Sequence, residues 1–395
     1  MKTILVLSQN AVFDLGNGAG KEVIFKTLVG LSEHFKIELI APGSNPQINN
    51  CRFYQLQDAL FNKLKRIPII VFIYNFIYIM QLKNEIKKKI SKNMINPDLV
   101  YLAGPWMSFI GHSIFENKKT IVVRYFGVNW NPEKHNSIKQ KIKFYLKNKG
   151  YRKFGNLVIM TNDGTRGDEF LKRLNCPNLK IMFLPNGIDF VQEAIEKTES
   201  RKILMSKYKI PESHRIILTV SRLTSWKRVD RAILGLKEAL KYNSQISLLV
   251  VGDGEERQHL ERLVQSEGLA KYVRFAGAIK HDQLRVYFSE CDIFLSLYDY
   301  SNAGNPLFEA MMYRCCIITL DSPAMKFFVS DKGAVLLKES SPYAIGIAIN
   351  KLLSNKELLL EYGVNAEKEV KANLLPWNKR ISIEVDKLIE LSSLS

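Results

Sequence analysis

A chain of 395 residues has room for two domains of ordinary size, each with its own core. Its 46% hydrophobic and 24% charged content excludes an intrinsically disordered chain. The 57 basic residues outnumber the 39 acidic ones, for a net charge of +18, which favours anionic partners: phosphates, nucleic acid or an anionic membrane surface.

The opening, MKTILVLSQ, reads as a strand and not as a signal peptide, since no basic segment precedes it and no cleavage-like site follows. Further strands are expected at 36–41, 98–103, 120–126, 156–161 and 180–185, then at 215–221, 247–252, 273–278, 293–297, 316–320 and 334–337. Many are unbroken apolar runs, the pattern of strands covered on both faces by helices. Strand and helix alternate throughout, and the pattern occurs twice, joined at LPNGIDF (184–190). The fold class is therefore α/β: two Rossmann-like, doubly wound parallel-sheet domains with a cleft between them. The expected division is 1–190, 191–373 and a C-terminal helix, 374–395, that packs back toward the first domain. In such sheets ligands bind at the carboxyl ends of the strands.

The first strand runs into a turn holding Gly16, Gly18 and Gly20. Such a turn lets backbone N–H groups approach a phosphate or sugar, or is a plain turn. Its spacing is not GxGxxG, and no acid follows the second strand, so a dinucleotide site is not expected. Apolar run 67–80, IPIIVFIYNFIYIM, has 14 residues, too few to span a bilayer, and lies between basic flanks. It is either a buried helix or, within 62–92, a segment that docks onto lipid headgroups. The basic stretch 134–155 offers the same pair of readings. Strand ends of the first half hold Tyr125, Phe126 and Gly127 in VRYFG and Asn162 and Asp163 in TNDG, which are candidates to contact a ligand; for 161–170 the alternative is a helix-capping turn.

In the second half, ILTVSRLTSWKRVD places Arg222 and Lys227 after a strand and before a helix. Two cations there suit a diphosphate, arginine as a fork and lysine as a point charge. VVGDGEER follows with Gly252 and Gly254, then a turn at Gly277, Ala278 and Ile279 whose backbone suits a nucleobase. DYSNAGNPLFEAM (299–311) bends through Gly304, Asn305, Pro306 and Leu307 into a helix with one acid, Glu309. Cys51, Cys176, Cys291, Cys315 and Cys316 have no zinc-like spacing, which points to a reducing compartment, with Cys315 and Cys316 expected in the core.

Taken in order, SRLTSWK, VVGDGEER, FAGAIKHDQL, GNPLFEAM and PWNKRISIEV resemble the retaining family-four glycosyltransferases of GT-B fold. The resemblance covers essentially the whole second half and extends more loosely to the Gly-rich turn and the NGID junction. It implies a nucleotide-sugar donor, a UDP-sugar by preference, with its diphosphate on Arg222 and Lys227 and its ribose on Glu309. Gly252, Gly254, Ala278, Ile279 and the 304–307 turn would line the donor, with Gly18 and Gly20 from the first half. Catalysis would fall to Arg222, Lys227 and Glu309. Two departures stand out: Ser301 occupies the place of a second glutamate, eight residues before Glu309, and Phe126 or Tyr125 stands where many members carry a histidine.

No Asp-x-Asp strand-end motif is present, so the expected enzyme works without a metal or other cofactor. The acceptor implied is a glycan or lipid-linked intermediate of cell-surface polysaccharide synthesis, handled in the cytoplasm or peripherally on the inner membrane face. Nucleic acid is not an expected partner, since no helix-turn-helix, zinc or RNP-like signature occurs. The competing reading is a catalytically impaired relative that binds sugar nucleotides or acts as a scaffold.

Overall fold

A computed structural model describes residues 1–10, 19–56, 68–128, 145, 147–174, 179–189 and 197–393. Among these, the chain forms two compact units. The first comprises 1–162, 166–187 and 377–395; the second comprises 163–165 and 188–376.

The first unit is built on a seven-stranded sheet. Its strands are β1 (Lys2–Ser8), β2 (Phe35–Ala41), β3 (Cys51–Gln55), β4 (Leu99–Ala103), β5 (Thr120–Tyr125), β6 (Leu157–Thr161) and β7 (Ile181–Leu184). They lie in the order β3-β2-β1-β4-β5-β6-β7, every pair parallel. The second unit carries β8 (Arg215–Val220), β9 (Ile246–Val251), β10 (Val273–Gly277), β11 (Ile293–Ser296), β12 (Cys316–Leu320) and β13 (Ala334–Leu337). Their order is β10-β9-β8-β11-β12-β13, again all parallel.

Each expected strand is present, and the doubly wound reading holds in both halves. The apolar runs explain it: β4, β6 and β9 are buried at every residue, as strands covered on both faces must be. One strand, β3, was not expected. Its sequence, CRFYQ, is half-exposed at the sheet edge and lacks the apolar run that marks its neighbours. Cys315 and Cys316 are core residues; Cys176 lies outside the described residues.

Helix Trp377–Ser393 is anchored in the first unit by a buried polar cluster. Glu384 accepts from the Tyr101 hydroxyl at 2.5 Å and from Arg380 Nη1 at 3.0 Å, with Arg124 Nε at 3.6 Å. Burial opposes the carboxylate's charge, but Arg124, Arg380 and the Tyr101 hydrogen bond outweigh it and hold the Glu384 carboxyl below its usual range.

Strand order reverses beside β1 in the first sheet and beside β8 in the second. At such a reversal the loops leaving two neighbouring strands diverge to opposite faces and leave a crevice at the carboxyl ends. In the second sheet the reversal falls between β8 and β11, and the loops that follow these two strands carry the candidate residues.

Candidate active site at the carboxyl end of the second sheet

The loop after β8 and the loop after β11 hold each other in place. The Asp299 N–H donates to the Trp226 carbonyl at 3.0 Å. Arg231, in helix Val229–Ala239, donates to Asp299 Oδ1 and to the Leu297 carbonyl, both at 2.8 Å. Asn302 closes the second loop: its Oδ1 accepts from the Tyr298 N–H at 2.9 Å, and its Nδ2 donates to the Tyr298 carbonyl at 3.0 Å. A side-chain amide thus pairs with backbone as a strand would.

Within this frame Lys227 is enclosed by aromatic faces. Its Nζ lies 3.7 Å from the Tyr298 ring centroid and 4.2 Å from that of Trp226. Trp226 in turn stacks on Tyr300, with centroids 4.9 Å apart and rings inclined by 6°. Ring faces attract a cation but replace the water that would solvate it. Desolvation pushes the Lys227 ammonium down to about 7; Asp163 raises it in part, and the charge of Arg222 lowers it. Arg222 itself is exposed.

Helix Asn305–Met312 starts beside these groups in sequence and sheet order, with Gly304 as its N-cap and Pro306 in its first turn. The Leu307 N–H donates to the Gly304 carbonyl at 3.0 Å. Asn305 and Leu307 are buried, whereas Gly304 and Pro306 are half-buried. Glu309 is half-buried one turn on, and its Oε1 lies 2.8 Å from His281 Nε2. His281 belongs to a short 3-10 turn after β10. Ser301, at φ 58°, donates from Oγ to Asp163 Oδ2 at 2.8 Å.

Gly252 and Gly254 serve the protein's own backbone. A Cβ on Gly252, whose φ is 131°, would lie 1.8 Å from the Ser221 carbonyl oxygen, and one on Gly254 would lie 2.4 Å from that of Leu223. The Gly252 N–H is engaged by the Gly277 carbonyl at 2.8 Å. These glycines let the β8 and β9 loops close on one another, which seats Arg222 and Lys227. Beyond Gly277, Ala278 is exposed, and Ile279 packs against the core.

In the first unit the candidate acceptor residues divide. Tyr125 is a core residue, 1% exposed, with its hydroxyl donating to the Gly150 carbonyl at 2.9 Å and its ring against Tyr151. Its side chain is therefore not one that meets an acceptor. Phe126 lies on the Arg124 guanidinium at 4.8 Å, and Gly127 follows at φ 89°. Asn162 is buried and gives its N–H to the Leu184 carbonyl. Gly20 lies in helix Ala19–Ser32, and Gly16 and Gly18 fall outside the described residues. Of 62–92 and 134–155, residues 62–67, 134–144 and 146 likewise fall outside.

Among the described residues, no group of three or more His, Cys, Asp or Glu side chains is placed to hold a metal ion. No described helix is long and apolar enough to cross a membrane. Residues that the sequence reading did not name also shape the site: Trp226, Tyr298, Asp299, Asn302 and His281. His281 has a signal of a kind, since it follows the expected turn at 277–279.

Solved structures superpose along the whole chain. Sucrose-phosphate synthase from Thermosynechococcus elongatus matches with a TM-score of 0.76 at 19% identity, covering 100% of each chain. The fold is GT-B. Anabaena HepE, solved in complex with UDP and glucose, matches this GT-B chain with a TM-score of 0.73 at 14% identity over 99% of this chain and 100% of its own. Residues 200–369, within the second unit, match the family model described as glycosyl transferases group 1. An uncharacterized glycosyltransferase of Methanocaldococcus jannaschii is 31% identical over 206 residues, 50% of each chain. Alpha-monoglucosyldiacylglycerol synthase of Streptococcus pneumoniae is 26% identical over 151 residues, 38% of this chain and 34% of its own. The GT-B chain thus spans half or less of the length of these two curated relatives.

Proposed function

We propose that the protein is a retaining glycosyltransferase that moves a sugar from a nucleotide-sugar donor to a glycan or lipid-linked acceptor, without a metal. The observation that carries this reading is that Arg222 and Lys227 sit on the loop after β8 and the Glu309 helix follows the loop after β11, the two strands at which the order of the second sheet reverses. The group 1 match over 200–369 supports it independently.

The donor's diphosphate lies against Arg222 and Lys227, with Gly304–Leu307 supplying the helix N-terminus, and its ribose hydroxyls donate to Glu309. As the glycosidic bond breaks, negative charge grows on the leaving nucleoside diphosphate. Two cations and the helix dipole stabilise that charge where it develops. In a front-face transfer the leaving phosphate takes the acceptor's proton, so retention needs no separate strong base and the cations replace a metal. UDP is the favoured nucleotide, in keeping with the UDP complexes of HepE.

The first unit is assigned the acceptor. Helix Pro68–Lys92 exposes Phe76, Ile77 and Met80, then Lys87, Lys88 and Lys92, an apolar and basic face suited to an anionic lipid surface. The pneumococcal relative's name, a glucosyldiacylglycerol synthase, agrees with a lipid acceptor. The proposed location is the cytoplasm, peripherally on the inner membrane face.

Incubation with UDP-, GDP- and ADP-sugars tests the reading through release of nucleoside diphosphate, with the product's anomeric configuration read by NMR. Binding without turnover on any acceptor would point to a sugar-nucleotide-binding relative instead, and inversion would remove the front-face step.

A further inference from the structure

The loop after β11 turns through Ser301 at φ 58°, a left-handed conformation that serine seldom adopts. Such a backbone persists only where the surroundings over-determine it. Part of those surroundings is the turn Asp163–Thr165, which follows β6 in the chain and is counted in the second compact unit. The Ser301 hydroxyl donates to Asp163 Oδ2 at 2.8 Å. Asp163 Oδ1 accepts from the Thr165 N–H at 3.1 Å and from the Thr165 hydroxyl at 2.5 Å, so the carboxyl group is held through both oxygens.

Gly164 brings the same turn against the next residues of the loop. A Cβ built on it would lie 3.3 Å from both the Cβ and the N of Ala303 and 3.5 Å from the Asn302 N, and its φ is 86°. Glycine suits this contact both by its small size and by its backbone. Asn302 is bonded twice to Tyr298, Ala303 is 1% exposed, and Gly304 caps the helix that carries Glu309. The turn therefore meets all three residues that precede the cap: Ser301 through a hydrogen bond, Asn302 and Ala303 through close packing. Holding them fixes where the helix begins, and with it the position of its first N–H groups.

We infer that the turn after β6 is a latch for donor binding. Asp163 is a positioning residue that holds Ser301 in its left-handed conformation, and Gly164 packs on Asn302 and Ala303. The start of the Glu309 helix is thereby set before a nucleoside diphosphate arrives, which lowers the ordering cost of binding. The inference rests on the donor reading above and adds a part in donor affinity for residues 163–165. The Ser301 bond needs an oxygen that accepts and does not need a charge, so Asp163 serves in either protonation state.

The test combines hydrogen exchange at the Tyr298, Leu307 and Phe308 amides, read by NMR, with UDP calorimetry. It compares the wild type with Asp163→Ala, Asp163→Asn, Ser301→Ala, Ser301→Gly and Gly164→Ala. Asp163→Ala, Ser301→Ala and Gly164→Ala should lose protection at these amides and bind UDP about tenfold more weakly, the scale of one lost hydrogen bond. Asp163→Asn keeps an oxygen for the Ser301 hydroxyl and should stay near wild type. Ser301→Gly loses the bond but suits the left-handed backbone, so it should fall between wild type and Ser301→Ala. If Asp163→Ala does not fold, the contrast between Ser301→Gly and Ser301→Ala carries the decision. Wild-type protection in Asp163→Ala overturns the inference. Lost protection with unchanged UDP affinity also overturns it, since the turn would then serve the fold alone. Asp163→Asn as impaired as Asp163→Ala overturns it too, because charge and not the hydrogen bond would be acting. A wild type that binds no UDP overturns the donor reading and the affinity half of the inference with it, while exchange still decides the loop half.

Discussion

His281 Nε2 lies 2.8 Å from Glu309 Oε1, so the carboxylate assigned to the ribose already has a protein partner. A ribose hydroxyl must share that oxygen with the imidazole, displace it, or use Oε2. Glu309→Ala should weaken nucleoside-diphosphate binding by roughly 1.5–3 kcal/mol, as for lost hydrogen bonds to a charged group. His281→Ala should leave affinity unchanged or modestly tighter, because it removes a competitor. Calorimetry on both variants decides this. A loss in His281→Ala as large as that in Glu309→Ala would make the histidine a ligand in its own right.

Lys227 sets up an opposition between stability and binding. Below pH 7 both native and unfolded lysines are charged, and the native state bears the full cost of desolvation. From about 7 up to 10.5 the native lysine is neutral while the unfolded one still holds its proton, so this group makes stability rise with pH across that window. Lys227→Met should therefore stabilise the ligand-free protein by about 1 kcal/mol at pH 6 and flatten the rise at higher pH. It should also abolish nucleotide binding. Thermal melts at pH 6 and 9 read the first effect, and an unchanged or lower melting temperature at pH 6 would contradict it.

The Glu384 cluster predicts an acid transition in the first unit. Because the native carboxyl is held below its usual range, its contribution is present above the unfolded value and disappears as pH falls through the native one. Glu384→Gln leaves the buried Arg124 and Arg380 without their counter-charge and should destabilise this unit by about 3–5 kcal/mol. Hydrogen exchange of β4 and β5 amides reports it. Protection equal to wild type would mean that the cluster contributes little.

The exposed face of helix Pro68–Lys92 predicts co-sedimentation with anionic vesicles at low salt, weakening as salt screens the lysines. Phe76→Glu combined with Met80→Glu should reduce binding further by removing apolar area. Absence of co-sedimentation in the wild type would remove the membrane from the proposed function.

What the sequence made legible was whatever depends on neighbours along the chain. Continuous apolar runs located the strands of both sheets, and the runs around Arg222, Lys227 and Glu309 fell at strand ends because turns and helix starts are local. What escaped depends on distant partners or on weak local pattern. Strand β3 alternates polar and apolar residues at an edge, and its identity comes from pairing with β2. The Ser301–Asp163 bond joins residues 138 apart, and no spacing rule reaches that far. Tyr125 was named because it stands where the resembled family carries a histidine, yet its ring is buried in the core. Gly252 was named as lining the donor, and no local pattern hinted that the Ser221 carbonyl, well back along the chain, lies where its Cβ would be.

The anchoring of helix Trp377–Ser393 has a consequence for how the chain is made. Glu384 joins Tyr101 and Arg124 across a sequence separation of 283 residues for the first of these. The second unit, apart from its short 163–165 turn, is continuous from 188 to 376 and has its strands and helices in hand as soon as that stretch leaves the ribosome. The first unit emerges earlier but keeps Arg124 and the apolar side of its sheet incomplete until the final helix arrives. The half synthesised first is thus the half completed last, and it must wait in a partly open state through the synthesis of the other.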